Sequence, residues 1–248
     1  MSITSTAGTR IISLLDEGSF VEIGSKITAK ATDINKEPKQ MPSDGCITGY
    51  GLINDNPVYI FSQDVSVLGG SIGEMHAAKI KRVYELALKT AVPVIGIFDS
   101  CGFRLNEAAE SLSAFGEVYA SMAKASGIVP QIGLVLGECG GAMSILADLC
   151  DFTLMSDKAK KFVNAPNAID GNNDKKCDSA SCDFRKAECG EVDFAGTEDE
   201  VIAFARKLVS ILPSNNIDNA PTHQANSSAL QSTNQQFASS ADISFNKV

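Results

Sequence analysis

The spacing of apolar residues changes several times along the chain, and each change marks an element. Near the amino terminus, residues 9–20 contain the amphipathic segment Arg10-Ile-Ile-Ser-Leu-Leu-Asp16, which predicts a short helix stopped at Gly18. The charged, irregular stretch 25–44, broken by Pro38 and Pro42, reads as an extended loop. Two β-rich runs over residues 46–63 flank Asn54-Asp55-Asn56-Pro57, the pattern of a hairpin. Beyond Gly69-Gly70-Ser71 a helix is expected. Ser71 and Glu74 have capping-box spacing, and Ala77, Ile80, Tyr84, Ala87 and Leu88 recur at helical period.

Two short, continuous apolar runs, Val92–Phe98 and Gln131–Leu136, predict strands buried on both faces. Each run ends in a glycine turn, Asp99-Ser-Cys-Gly-Phe-Arg104 and Gly137-Glu-Cys-Gly-Gly-Ala142, and each turn leads into a helical pattern. The first of these helices would place Leu105, Ala108, Ala109, Leu112, Phe115, Tyr119 and Met122 on one buried stripe. Another strand is expected over Phe152–Met155. Thr197 and Glu200 have a second capping-box spacing, opening a helix with Val201, Ala205, Leu208, Val209 and Leu212. Strand, glycine turn and helix recurring at intervals of about 40 residues imply right-handed β-α-β units, hence an α/β fold whose mostly parallel sheet is covered by helices. Residues 166–193, polar and rich in Asp and Cys, read as a surface excursion. The chain thus divides into a folded domain, 1–217, and a Ser-, Asn- and Gln-rich tail, 218–248, expected to be a disordered linker.

Composition narrows the function classes. The 248 residues, 44% of them hydrophobic, suffice for one good-sized core. There is no apolar run of roughly 20 residues and no signal-peptide pattern, so a cytoplasmic protein is expected. A net charge of −9 argues against nucleic acid as a partner. The seven cysteines are odd in number, and Cys177, Cys182 and Cys189 lack paired C-x-x-C spacing, so neither disulfides nor a metal site is expected.

The candidate chemistry lies in the two glycine turns. Both gather backbone N–H groups at helix starts on the carboxyl edge of one sheet, a natural site for an anion. Negative charge that develops on a thioester oxygen during enolate formation could be held there by main-chain amides. The bland alternative is two ordinary helix starts. His76 reads as a structural or solvent-facing histidine, and Cys101 and Cys139 as packing thiols or, less conservatively, nucleophiles. Lys79, Lys81 and Arg82 form the one local basic patch, open to CoA phosphates or to solvent. Glu107 and Glu110 could pair as acid and base in a hydratase, but their helical positions favour solvation.

The ordered set of motifs resembles the amino-terminal domain of biotin-dependent acyl-CoA carboxyltransferases, the family of propionyl-CoA carboxylase β chains and of methylmalonyl-CoA and glutaconyl-CoA decarboxylase α chains. The likeness runs through Leu14-Leu-Asp-Glu-Gly-Ser-Phe-Val-Glu22, Asp44-Gly-Cys-Ile-Thr-Gly-Tyr-Gly51, Phe61-Ser-Gln-Asp64 and Gly69-Gly-Ser-Ile-Gly-Glu-Met-His-Ala-Ala-Lys-Ile80. It resumes in both glycine turns, in Glu110-Ser-Leu112, in Asp151-Phe-Thr-Leu-Met155 and in Leu212-Pro-Ser-Asn-Asn216, covering about residues 10 to 217.

The resemblance implies a crotonase-like fold that cradles acyl-CoA. It implies oxyanion donors around Cys101-Gly102-Phe103 and Gly141-Ala142, and acyl-CoA contacts from Gly69, Gly70, Lys79, Arg82, Arg104 and Gly140. It further implies carboxyl exchange with biotin on a separate biotin carrier protein. A carboxyl-terminal-half carboxyltransferase subunit would be the partner, in a homo- or hetero-oligomer that is cytoplasmic or peripheral to a membrane decarboxylase complex. The sequence departs from the family pattern at Cys101 and Phe103, where glycine and alanine are usual, and at Ala142, where glycine is usual. Residues 162–191 match poorly, so the wall of the acyl pocket is not carried over. Three alternatives stay open: a malonate decarboxylase β-type subunit acting on a carrier-protein thioester, a crotonase-type hydratase or isomerase, and a non-catalytic scaffold subunit.

Overall fold

The computed structural model describes residues 4–30, 42–166 and 178–221. Cys177 and residues 222–248 of the expected tail lie outside them. The first helix, α1 (Thr6–Leu14), starts earlier than its apolar pattern suggests because Ser5 caps it, accepting from the Gly8 amide. Strand β1 (Val21–Ile23) pairs antiparallel with β2 (Cys46–Ile53), and β2 with β3 (Asn56–Gln63). Asn54 and Asp55, both at positive φ (49° and 64°), make the two-residue connection that the twist of a hairpin requires.

Helix α2 (Glu74–Thr90) crosses to β4 (Val94–Ser100), and α3 (Ala108–Ala125) crosses to β5 (Gln131–Gly140). Helix α4 (Ala142–Asp148) then leads to β6 (Phe152–Ser156), and the chain continues through β7 (Lys160–Phe162), α5 (Cys182–Ala187), β8 (Phe194–Gly196) and α6 (Glu198–Ile211). Strands β3, β4, β5, β6 and β8 are parallel neighbours in that order, and β7 continues beside the end of β5. This is the α/β class expected from the sequence.

The continuous apolar runs have the anticipated cause. Phe61, Phe98 and Val135 point into one core with Tyr84, Phe115 and Met122, whereas Ile60, Ile97 and Leu134 point into the opposite core with Ile11, Leu14, Val201 and Leu208. A sheet covered on both faces leaves no solvent side for polar residues. The α6 capping box is present as expected: the Thr197 hydroxyl accepts from the Glu200 amide while the Glu200 carboxylate accepts from the Thr197 amide.

Helix α1 ends at Leu14, with Leu15 extended, and not at the glycine stop expected at Gly18; two further expectations fail. The buried face of α3 is Ser111, Ala114, Phe115, Val118, Met122 and Ala125, while Leu105 (75% exposed) and Leu112 (67%) face outward. Leu105 falls in a short 3-10 turn, Leu105–Glu107, before the helix begins, and within α3 the buried face runs through Ser111 and Val118 in place of Leu112 and Tyr119. The Ser71–Glu74 capping box is also absent. Helix α2 begins after Gly73, and its first amide, that of Glu74, donates to Glu107 at 2.6 Å.

Candidate active site

Strands β4 and β5 end side by side, so the two glycine turns are neighbours. Ser100 pairs with Cys139 in the sheet, and a methyl group built on Gly102 would lie 3.4 Å from the Gly140 carbonyl oxygen. On the other side, Gly140 faces the Cys101 carbonyl oxygen, which a methyl group there would meet at 3.3 Å.

Most amides of these turns are engaged within the fold. Cys101 N donates to Gly69 O (3.0 Å), Gly102 N to Ser100 Oγ (3.2 Å), Arg104 N to Ile72 O (2.8 Å) and Gly141 N to Phe162 O (2.8 Å). Among the described residues, the amides of Phe103 and Ala142 have no acceptor. Both turns therefore keep an unspent donor where they enter the following segment. For Phe103 the reason is its bridge to Ile72, which engages the flanking Gly102 carbonyl and Arg104 amide and turns the Phe103 amide the other way. For Ala142 the reason is its place as the first residue of α4, where no intrahelical acceptor exists. Gly102 (φ 120°) and Gly141 (φ 62°) adopt backbone conformations that side chains disfavour, which explains glycine at both turns.

Gly70 is required for a different reason. It lies at φ 65°, and a methyl group on it would come within 2.2 Å of the Asp99 carbonyl oxygen, so Gly70 lets the chain pack on the root of the first turn. Gly69 similarly faces the Cys101 sulfur, at 3.0 Å from such a methyl group. The side chains of Cys101 and Phe103 are exposed beside these amides, whereas the Cys139 thiol is buried and its pKa is pushed up to about 12 by desolvation.

Three charged residues need correction. Lys79 is 2% exposed, and its ammonium donates to the Ser43 and Cys46 carbonyls, so it cannot meet a phosphate from this position. Arg104 is buried too: its guanidinium contacts Asp44 (2.6 Å), Glu107 (2.7 Å) and the Ser71 carbonyl (2.9 Å). Glu107, expected to be solvated, is the buried partner of Arg104 and the cap of α2, while Glu110 remains exposed. The hydratase pair is thus split between a structural role and the surface. Arg82 is half-exposed and pairs with Glu85 at 3.1 Å, leaving it on the outer face of α2. Sequence reading missed this polar layer because its members come from four separate segments. Only the rarity of charge inside an otherwise apolar block hints at it.

His76 lies in the same layer. It is fully buried, with Nδ1 3.0 Å from the Asp44 carbonyl oxygen and Nε2 3.2 Å from the Gln63 side-chain nitrogen. Burial, reinforced by Arg104 and Lys79, holds its pKa down to about 3. The ring is neutral, donating from Nδ1 and accepting at Nε2, and it is structural. Because the unfolded chain takes up this proton near pH 6.5 and the folded chain only near 3, the contribution is complete above pH 6.5 and drains away as pH falls toward 3. Urea unfolding as a function of pH should show stability declining through that window, and His76→Gln should flatten the decline.

With the geometry in hand, likeness to known proteins becomes informative. Residues 4–242 match the model of the carboxyl transferase domain. The chain belongs to the carboxyl transferase domain family. It is 38% identical to methylmalonyl-CoA decarboxylase subunit alpha of Veillonella parvula over 221 residues, 87% of this chain and 43% of that protein. It is likewise 38% identical to the propionyl-CoA carboxylase beta chain of Roseobacter denitrificans over 222 residues, 87% of this chain and 43% of that one.

Among solved structures, transcarboxylase 12S with hydrolysed methylmalonyl-coenzyme A bound superposes with a TM-score of 0.85 at 34% identity, covering 91% of this chain and 45% of that one. A Pseudomonas malonate decarboxylase hetero-tetramer shares the fold, with a TM-score of 0.72 at 22% identity over 98% of this chain and 91% of that one. The carboxyltransferase domain described here therefore spans less than half the length of the curated relatives it matches. No helix among its described residues is long and apolar enough to cross a membrane.

Proposed function

We propose that this carboxyltransferase domain holds an acyl-CoA thioester while a carboxyl group leaves or joins its α-carbon, with the Phe103 and Ala142 amides stabilising charge on the thioester side. Biotin on a separate carrier protein supplies or receives the carboxyl unit. The observation that carries the reading is the pair of unspent main-chain donors in adjoining turns. Loss or gain of CO2 at the α-carbon passes through an enolate, and donors fixed where that charge develops need no reorganisation as it forms.

Lys79 and Arg104 are buried and held by partners within the fold, away from any CoA phosphate. The proposed acyl-CoA contacts therefore reduce to Gly69, Gly70 and Gly140, with Arg82 at the outer margin. Cys101 and Phe103 would form the near wall of the acyl site. Phe103, Leu105 and Leu112 are all exposed large apolar side chains, at 42%, 75% and 67%, and would suit burial against a carboxyl-terminal-half partner that closes the site. A partner of this kind is also in keeping with the extra length of the curated relatives.

Isothermal titration of the chain with propionyl-CoA and methylmalonyl-CoA tests the reading. Saturable binding is expected, and it should survive Glu110→Gln. Absence of binding to free acyl-CoA, together with binding of a carrier-protein malonyl thioester, would transfer the site to the malonate decarboxylase type of reaction. Absence of binding to either would leave only a scaffold.

A further inference from the structure

The alignment of the two turns depends on an irregularity in the sheet. Phe98 pairs with Val135 but Ser100 pairs with Cys139, so a step of two residues on β4 faces a step of four on β5. Three residues of β5, Leu136 to Glu138, thus stand opposite Asp99 alone, and the ladder with β4 is interrupted there. A bulge of this kind re-aims the chain beyond it. The segment immediately beyond this one is Cys139-Gly140-Gly141-Ala142, the second turn.

Two side chains pick up the groups that the bulge releases. The Glu138 amide donates to Asp99 Oδ1 at 3.2 Å, and the Leu136 carbonyl accepts from Arg10 at 3.0 Å. Arg10 also donates to Asp99 Oδ2 at 2.7 Å, which closes the ring. Arg10 and Asp99 are 7% and 6% exposed. Outside them, Glu198 at the start of α6 takes two bonds from the same guanidinium, at 2.9 and 3.1 Å. Asp99 is itself the root of the first turn: its amide donates to Gln63, and its carbonyl packs on Gly70. One carboxylate thus joins the two turns through their stems. Gly137 is part of the fit, since a methyl group there would fall 2.1 Å from Asp99 Oδ1.

We infer that Arg10 and Asp99 are positioning residues that fix the separation of the Phe103 and Ala142 amides by clamping the β5 bulge. The inference rests on the reading of those amides as oxyanion donors. Neither side chain has to touch the substrate. The planar fork of Arg10 is essential to the role, because a lysine ammonium is a single point and cannot hold Asp99, Leu136 and Glu198 in one geometry.

The test uses the full chain and two probes, CoA itself and a CoA thioether ending in a nitronate, which carries the enolate's charge without reacting. Wild-type protein should bind the nitronate more tightly than CoA. If it binds both equally, the oxyanion reading fails, whatever the role of Arg10. Given that preference, Arg10→Lys and Gly137→Ala should each weaken nitronate binding by roughly tenfold, a fraction of the effect of deleting a donor outright, and leave CoA affinity nearly unchanged. Arg206→Lys, altering an ion pair with Asp16 in which neither turn takes part, should change neither. Glu198→Gln loosens the clamp from its exposed side and reads the same effect, in smaller measure, should Arg10→Lys not fold. Equal losses for both probes, or retained nitronate preference in folded Arg10→Lys, Gly137→Ala or Glu198→Gln protein, would overturn the inference.

Discussion

On the proposed role of the Ala142 amide, Ala142→Pro should lower kcat for carboxyl transfer by about 10²–10³, the usual effect of losing one oxyanion donor, while the melting temperature should stay near that of the parent protein. The substitution removes one N–H and almost nothing else. Proline is accepted at the first position of a helix, where its missing amide proton would have no intrahelical acceptor. The preceding residue, Gly141, sits at φ 62° and ψ −133°, the mirror image of the extended conformation that proline favours before it and one that glycine adopts freely. Steady-state assays with the partner half and a biotin donor, beside thermal melts, check the result. Ala142→Gly, which keeps the amide, should retain most of the rate. A proline variant with parental kcat would show that this amide does not meet the developing charge.

Arg104→Met has the largest expected effect on stability, a loss of about 3–5 kcal/mol at pH 7 by urea denaturation, because breaking a buried pair from one side strands the other charges. Here two carboxylates are stranded, Asp44 and Glu107, whose side chains are 0% and 3% exposed. Asp44 already has its pKa raised, chiefly by burial and against the pull of Arg104. Without the guanidinium Asp44 takes up a proton more readily, so the deficit should narrow as the pH is lowered toward 5. A deficit that does not depend on pH would point to lost packing instead of unpaired charge.

The sequence disclosed those features whose cause is local. β-rich runs around a turn sequence and continuous apolar runs identified the hairpin and the inner strands, and Thr197 with Glu200 marked the start of α6, because each signal lies within one segment. Ser71 with Glu74 carried an equally good capping signature and did not cap, since Glu107, distant in sequence, supplies the acceptor. Lys79 and Arg104 looked like anion binders for the same reason that they are good buried partners: both carry dense donors, and only the fold decides what those donors face. The two glycine turns could be found in the sequence, but which amides remained unspent could not. Gly141 is consumed by Phe162, a residue in a region that resembled the family poorly and whose strand is three residues long.

One consequence of a site whose donors belong to the main chain is that evolution can alter its lining without altering its chemistry. On the proposed reading, exchanging the side chain at 101, 103 or 142 reshapes the space for the acyl group, yet every amino acid except proline brings the same N–H. Substrate preference in such a domain is free to drift by ordinary point mutation, while the catalytic element is inherited as a path of the backbone.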